Sequence, residues 1–463
     1  MSFFGLDIAV SGLNAQQLAM NVTAHNITNA GTEGYHRQEA VTTAGTPLVG
    51  ALTLANGSAA QLGTGTLVRT IRRLQSEFID NQIRSEEQLS GSWNYKQNAL
   101  SQVESFLAEP GDSGLSTSFD EFWNSWNDLA TSPESSSSKI AVVEEGSSLA
   151  LMINNLCGNL RDLQYQADSD IALNTNEVNR IANEISHLNE QIGKAAGDTT
   201  NQPCDLLDKR DALLKELSHI INFQTNNATG ADLVISIGGK ALVQGDNVTE
   251  VSITESANGW SQLTWSDDGA DVLITGGEIQ GQIETRDDLI GSYIDTLNNI
   301  TSTLVTEVNK LYSTGTTSSG NPAGNFFTGS DASSISVNSG LITTPTNLTA
   351  SYTGDTGSNK LAQDIAALAD KDVMANGESI YESYTSLVSQ IGGNSEEAQS
   401  RAELHALSLD ELNTQSESVS GVSLDEEMSD MVKFQQAYNA IARVFTTVDE
   451  MLDTIISMGK VGR

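Results

Sequence analysis

The sequence predicts a mainly α fold with a β insertion: terminal coiled-coil helices, a long-helix bundle layer and a small antiparallel β domain. Three observations carry this. A seven-residue apolar seam runs unbroken through the last forty residues, and a similar one runs through the first thirty. Helical periodicity fills most of the interior. From Thr225 the period switches to two, with Gly238-Gly239, Gly245-Asp246, Asn258-Gly259 and Asp268-Gly269 between the runs, which are hairpin turn signals.

The C-terminal seam is Met431, Phe434, Tyr438, Ile441, Phe445, Val448, Leu452 and Ile455. A strict seven-residue repeat marks helices that wind around a partner. Ser423 followed by Glu426 forms a capping box, and Asp425, Glu426 and Glu427 sit at the positive end of the helix dipole. Gly459 is expected to end the helix, with Lys460 and Arg463 near its negative end. The N-terminal seam is Phe3, Leu6, Val10, Leu13, Gln17, Met20, Ala24 and Ile27, with only Gln17 polar. The two ends therefore pair with each other, with copies of themselves, or both. Gly5, Gly12 and Ala19, seven apart, read as a ridge that admits close backbone approach. Burying one seam side chain is worth roughly 1.5–3 kcal/mol, which a lone helix in water does not gain. Both ends are thus expected to be largely disordered in the free protein and helical on assembly.

Between the ends, Gln38–Thr43 and Thr66–Ile71 read as a hairpin around a long loop, with Arg69, Arg72 and Arg73 as a solvated face. Helices follow from Leu74 to Leu107, Phe119 to Leu129 and Ile140 to Leu160. Another uses Ile171, Val178, Ile185 and Ile192 interleaved with Ile181 and Leu188, which fits an antiparallel bundle. Asp205, Asp208 and Asp211 share a helical face beside Lys209, Arg210 and Lys215 and read as a charged helix surface. Strands are expected at Leu233–Ile237, Val248–Ile253, Leu263–Trp265 and Val272–Ile274. A helix begins at Arg286 with the stripe Leu297, Ile300, Leu304, Val308 and Leu311. Fragments at Ser334–Val337 and Leu348–Tyr352 are expected to complete the β domain, and helices resume at Leu361–Leu368, Ile380–Ile391 and Glu396–Leu412.

The 463 residues suffice for two to four domains. With aromatics at only 5%, the core should be built from Leu, Ile, Val and Ala. Against 60 Asp+Glu there are 23 Lys+Arg, a net −37, which repels phosphate and makes nucleic acid and anionic membrane poor partners. Assembly of many copies should then depend on salt. Cys157 and Cys204 read as thiols without structural duty. No apolar run reaches membrane length, and Met1 to Val22 lacks the basic residues of a secretory signal, so composition alone reads cytoplasmic. No catalytic motif emerges. Gly111-Asp-Ser-Gly114 reads as a turn, Asp267, Asp268 and Asp271 as a hairpin turn without calcium-loop spacing, and His25, His36, His187, His219 and His405 as unrelated. No enzyme activity, metal or cofactor is expected.

Asn26, Ile27, Asn29, Ala30, Thr32, Gly34 and Tyr35 resemble the Asn-Ile-x-Asn-Ala-x-Thr-Pro-Gly-Tyr signature of bacterial flagellar axial proteins, the rod, hook and hook-associated proteins. Thr28 replaces the usual small residue and Glu33 the proline. Arg37-Gln38, Gly63 to Arg73, Ser420 to Glu427 and Phe434 to Val444 are similar to the hook-associated protein 1 branch. So is Asp205-Leu-Leu-Asp-Lys-Arg-Asp211, which contains Asp208 and Arg210 and which hook and rod lack.

The resemblance implies a structural junction between hook and filament, with terminal helices stacking on those of neighbouring subunits in an inner tube. The partners it implies are copies of the chain in a ring or helical array, hook subunits on one side and the next junction protein on the other. It further implies a cytoplasmic export chaperone at the C-terminal region, then export without a cleaved signal to the extracellular flagellum, which replaces the cytoplasmic reading. The expected domains are 1–38 with 420–463 (coiled coil), 39–224 with 281–313 and 359–419 (helical), and 225–280 with 314–358 (outer β). A hook or distal rod subunit, or an adhesin or enzyme domain carried on a flagellar scaffold, is the alternative.

Overall fold

The computed structural model describes residues 4–53, 59–109, 111, 114–197, 202–226 and 230–460. Phe3, Arg463 and the central Asp112 and Ser113 of the Gly-Asp-Ser-Gly turn lie outside the described residues.

Helix α1 (Phe4–Asn29) leads into a hairpin in which β1 (Gln38–Ala44) pairs antiparallel with β4 (Thr66–Arg73), Gln38 opposite Arg73. The loop expected between them is a second strand pair, β2 (Leu48–Thr53) with β3 (Ala59–Leu62). Four helices follow: α2 (Glu77–Leu107), α3 (Leu115–Thr131), α4 (Ser136–Ala196) and α5 (Cys204–Ile220). Helix α4 runs 61 residues without a break, where the sequence reading had two helices. Residues 161–170 hold no Gly or Pro to stop it. It starts on the Ser135 side chain, which accepts from Ser138 N–H.

The β insertion is a meander, β5 (Gln224–Asn226), β6 (Val234–Ile237), β7 (Lys240–Gln244) and β8 (Asn247–Val248), beside a hairpin of β9 (Val251–Glu255) and β10 (Ser261–Trp265). Gly238 and Gly239 turn β6 into β7 at φ of 58° and 89°, which side chains disfavour. Val272–Ile274, expected as a strand, forms none; only Thr264 and Asp271 bridge there. Helix α6 (Glu278–Glu284) passes through a π-helical turn (Thr285–Ile290) into α7 (Gly291–Tyr312), so the helix expected at Arg286 starts earlier. A small pair, β11 (Phe327–Thr328) with β12 (Ser336–Val337), precedes α8 (Ser339–Thr343) and α9 (Lys360–Ala366). Two long helices close the chain: α10 (Ile380–Ser420), started by a complete capping box of Ser379 and Glu382, and α11 (Leu424–Lys460). Gly459 lies within α11 rather than ending it.

Two cores hold the molecule. The first gathers α3, the N-terminal half of α4, α7, α9 and α10 around Phe122, Trp126, Tyr312 and Phe326. Trp126 and Phe326 meet edge to face at 5.4 Å, so the core is more aromatic than composition suggested. The second packs Ile171 to Ile185 of α4 and Leu214 to Ile221 against β6, β7, β9 and β10. Helix α4 joins the two. Residues 326–350, expected to complete the β domain, pack in the first core, because Phe326 and Phe327 complete its aromatic cluster.

Candidate assembly site: the terminal coil and its polar junction

Helices α1 and α11 lie against each other in the single chain, so each end supplies the partner the other needs, in place of the disordered ends expected of a free chain. On α11 the expected seam is the half-buried face: Met431, Phe434, Tyr438, Ile441, Phe445, Val448 and Leu452, with Ile455 exposed. The buried residues of α1 are not those the heptads marked, and they serve β1 and β4 as well as α11. Ala9, Ala15, Ala19, Val22, Thr23 and Asn26 are buried, while Leu6, Leu13, Met20 and Ile27 are half-buried and Val10 is exposed. A methyl group at Gly12 would lie 3.2 Å from Ile441 Cδ1, and one at Gly5 would lie 3.6 Å from Val448. The Gly5–Gly12–Ala19 ridge thus seats the chain's own α11. With no side chain at Gly12 or Gly5, the Ile441 and Val448 side chains lie directly over the α1 backbone. Ile8 and Val10 on α1, and Val444, Met451, Ile455 and Met458 on α11, stay in solvent.

Where the coil meets the body, the polar residues of the N-terminal signature close on one another. Asn26 is buried and uses its whole amide. Its Nδ2 donates to Gln38 O (2.9 Å) and Glu427 Oε2 (3.1 Å), and its Oδ1 accepts from Tyr35 O–H (2.8 Å) and Gln38 N–H (3.0 Å). One residue therefore ties the end of α1, the start of β1 and the first turn of α11. Arg37 Nε donates to Glu427 Oε1 at 2.6 Å, its NH1 reaches Glu426, and its backbone N–H donates to Ser420 O. The capping box at Ser423 stays half made. Ser423 Oγ takes the Glu426 N–H at 3.5 Å, but the Glu426 carboxylate turns to Arg37. Asn29 Nδ2 donates back to His25 O, Thr32 N–H closes on Asn29 O, and Gly34 turns the chain at φ 74°.

The Asp205–Asp211 element faces this same junction, which corrects its reading as a charged outer surface. Asp205 accepts from Gln38 Nε2 at 2.8 Å and lies 3.2 Å from His25. Asp208 is buried, 2.7 Å from Arg73 NH1 and 2.8 Å from His36 Nδ1, and Asp211 takes the same Arg73 nitrogen at 2.8 Å. Arg73, expected on a solvated face, is buried with both carboxylates. Burial works against its charge, but Asp211 and Asp208 more than offset this and raise its pKa. Arg210 turns the other way and is fully buried, donating to Asn189 Oδ1 and Gly230 O between α4 and the β insertion. Burial lowers its pKa to about 10. Sequence reasoning missed His36, Arg73 and Ser420 as members of the site. It placed Glu427 as a dipole partner and within the Ser420–Glu427 stretch, but not as the acid that Arg37 meets. No cluster of three His, Cys, Asp or Glu suited to a metal ion occurs among the described residues.

Three family models match the chain. "Flagella basal body rod protein" covers residues 6–36, "Flagellar hook-associated protein FlgK helical domain" residues 100–327, and "Flagellar basal body rod FlgEFG protein C-terminal" residues 414–458. The flagellar hook-associated protein 1 of Bacillus subtilis is 29% identical over 100% of this chain and 99% of its own length. That of Escherichia coli is 24% identical over 97% of this chain and 98% of its own. The chain belongs to the hook-associated protein 1 family of flagellar axial proteins. A family member of known structure, described as the flagellar hook junction protein FlgK from Burkholderia pseudomallei, has the same fold, with a TM-score of 0.66 at 13% identity. The match spans 73% of this chain and 100% of that one. The three family segments converge in space: 6–36 brings Asn26, 100–327 brings Asp208 and 414–458 brings Glu427.

Proposed function

We propose that the chain is a structural component of the bacterial flagellum at the junction of hook and filament, assembling axially through its terminal coil. The observation that carries this is the polar junction, which fixes the α1–α11 pair to the body while leaving Val10, Val444, Met451 and Met458 uncovered for neighbours. Copies of the chain form the array, with hook subunits on one side and the next junction protein on the other. Before assembly the C-terminal region is held by an export chaperone, and the chain leaves through the flagellar channel. Its role is structural rather than enzymatic, a reading supported by the flagellar hook-associated proteins and family models it matches. Deleting the gene and imaging the cells tests the assignment. Bare hooks with flagellin shed into the medium support it, and missing hooks would make the chain a hook or rod subunit.

A further inference from the structure

Four histidines hydrogen-bond a carboxylate on another element: His25 with Asp205, His36 with Asp208, His219 with Glu87 and His405 with Glu86. His36 stands apart because it belongs to the loop after α1, at the seam between coil and body. Its side chain and that of Asp208 are only 13% and 8% exposed. Its Nδ1 lies 2.8 Å from Asp208 Oδ1, and its backbone N–H donates to Asp208 Oδ2 at 3.3 Å. The charged groups facing it are Asp208 and Asp211 from α5, Arg73 from β4 and Asp80 from α2. Two cations, His36 and Arg73, thus meet Asp208 and Asp211, and Asp80, whose pKa burial raises, lies beside them.

We propose that His36 is a proton-operated clamp, which when protonated ties the loop after α1 to α5 and on losing its proton loosens the coil from the body. Neutral His36 can still donate a hydrogen bond from Nδ1. Arg73 alone then faces two carboxylates in a half-dry site, where an unbalanced charge is costly. A cavity of about 840 Å³ beside His36 and Asp80, between this loop and the end of α10, gives water access to the group. Burial lowers the affinity of His36 for the proton, but the hydrogen bond and charge of Asp208 prevail and raise it above the usual 6.5. A folded-state pKa above the unfolded one gives stabilisation that is complete below about pH 6.5 and fades as pH rises through the raised value. The clamp is therefore closed in mild acid and open in alkali. His25 and Asp205 are well exposed and contribute little, whereas His219 and His405 act within the body, on α2.

Amide exchange on the full chain, corrected for the intrinsic effect of pH, tests the clamp. Protection across 30–38 should fall severalfold between pH 6 and pH 8.5, the direction that a raised His36 pKa requires. His36→Gln and Asp208→Asn should each hold it at the lower level at both pH values, while the segment around His219 keeps its own response. Equal protection at both pH values in the unmodified chain, or an unchanged response in His36→Gln, overturns the clamp. Should either variant fail to fold, a ring titration of His36 in the unmodified chain decides: a pKa at or below 6.5 overturns it as well.

Discussion

The helical body and the terminal coil are built from the same helix-forming sequence, yet they bury it differently. In the body, Phe119, Phe122, Trp126, Leu129 and Leu149 reach zero exposure. In the coil, no seam residue of α11 is fully buried, and several large apolar side chains lie in water. A body that fills its own core is stable by itself. A coil of two helices leaves half of each helix uncovered, so its remaining stabilisation has to come from other molecules. The polar junction separates the two regimes, holding the coil in place through hydrogen bonds rather than apolar area.

Substitutions in each region can break or sharpen this contrast. Trp126→Ala removes the centre of the aromatic cluster and should cost about 3–5 kcal/mol, read in a thermal melt of the body. If the coil melts with it at the same temperature, the two regions are one cooperative unit and the contrast fails. Asn26→Ala leaves the buried Glu427 carboxylate and the Gln38 N–H short of a partner, at a cost of roughly 2–3 kcal/mol confined to the junction. Exchange protection should drop at 420–431 and stay unchanged around Trp126; a global loss would show that the junction belongs to the body. Gly12→Leu presses on Ile441 and should cost about 1–3 kcal/mol of coil stability, with filament formation impaired and the body melt unmoved. Normal filaments from that variant would remove the ridge from the account. Arg72→Ala, whose partner Glu39 is equally exposed, should change the melt by less than about 0.5 kcal/mol.

Much of the molecule was legible residue by residue. The α11 seam and the change of period after Thr225 depend on neighbours only a few positions away. The single span of α4 was missed because two apolar stripes separated by a polar decade look like two helices. The grouping of 326–350 with the first core was missed because its aromatics find partners on α3 and α7 only after folding. At the junction, sequence supplied the members of three motifs but no reason for them to meet. Asp208, taken for a surface acid, is buried because Arg73 and His36 arrive from 135 and 172 residues away.

By itself the sequence determined most of the helical stretches, which face of α11 is apolar and where the period turns to two, because these follow from spacing along the chain. Only tertiary structure decided which face of α1 receives α11. Ile441 and Val448 seat over Gly12 and Gly5 rather than over the bulkier seam, and no local pattern weighs one helix face against another. Tertiary structure likewise gathered Asn26, Arg37, Asp208 and Glu427 into one site, since buried charges and amides take their partners from wherever the fold delivers them.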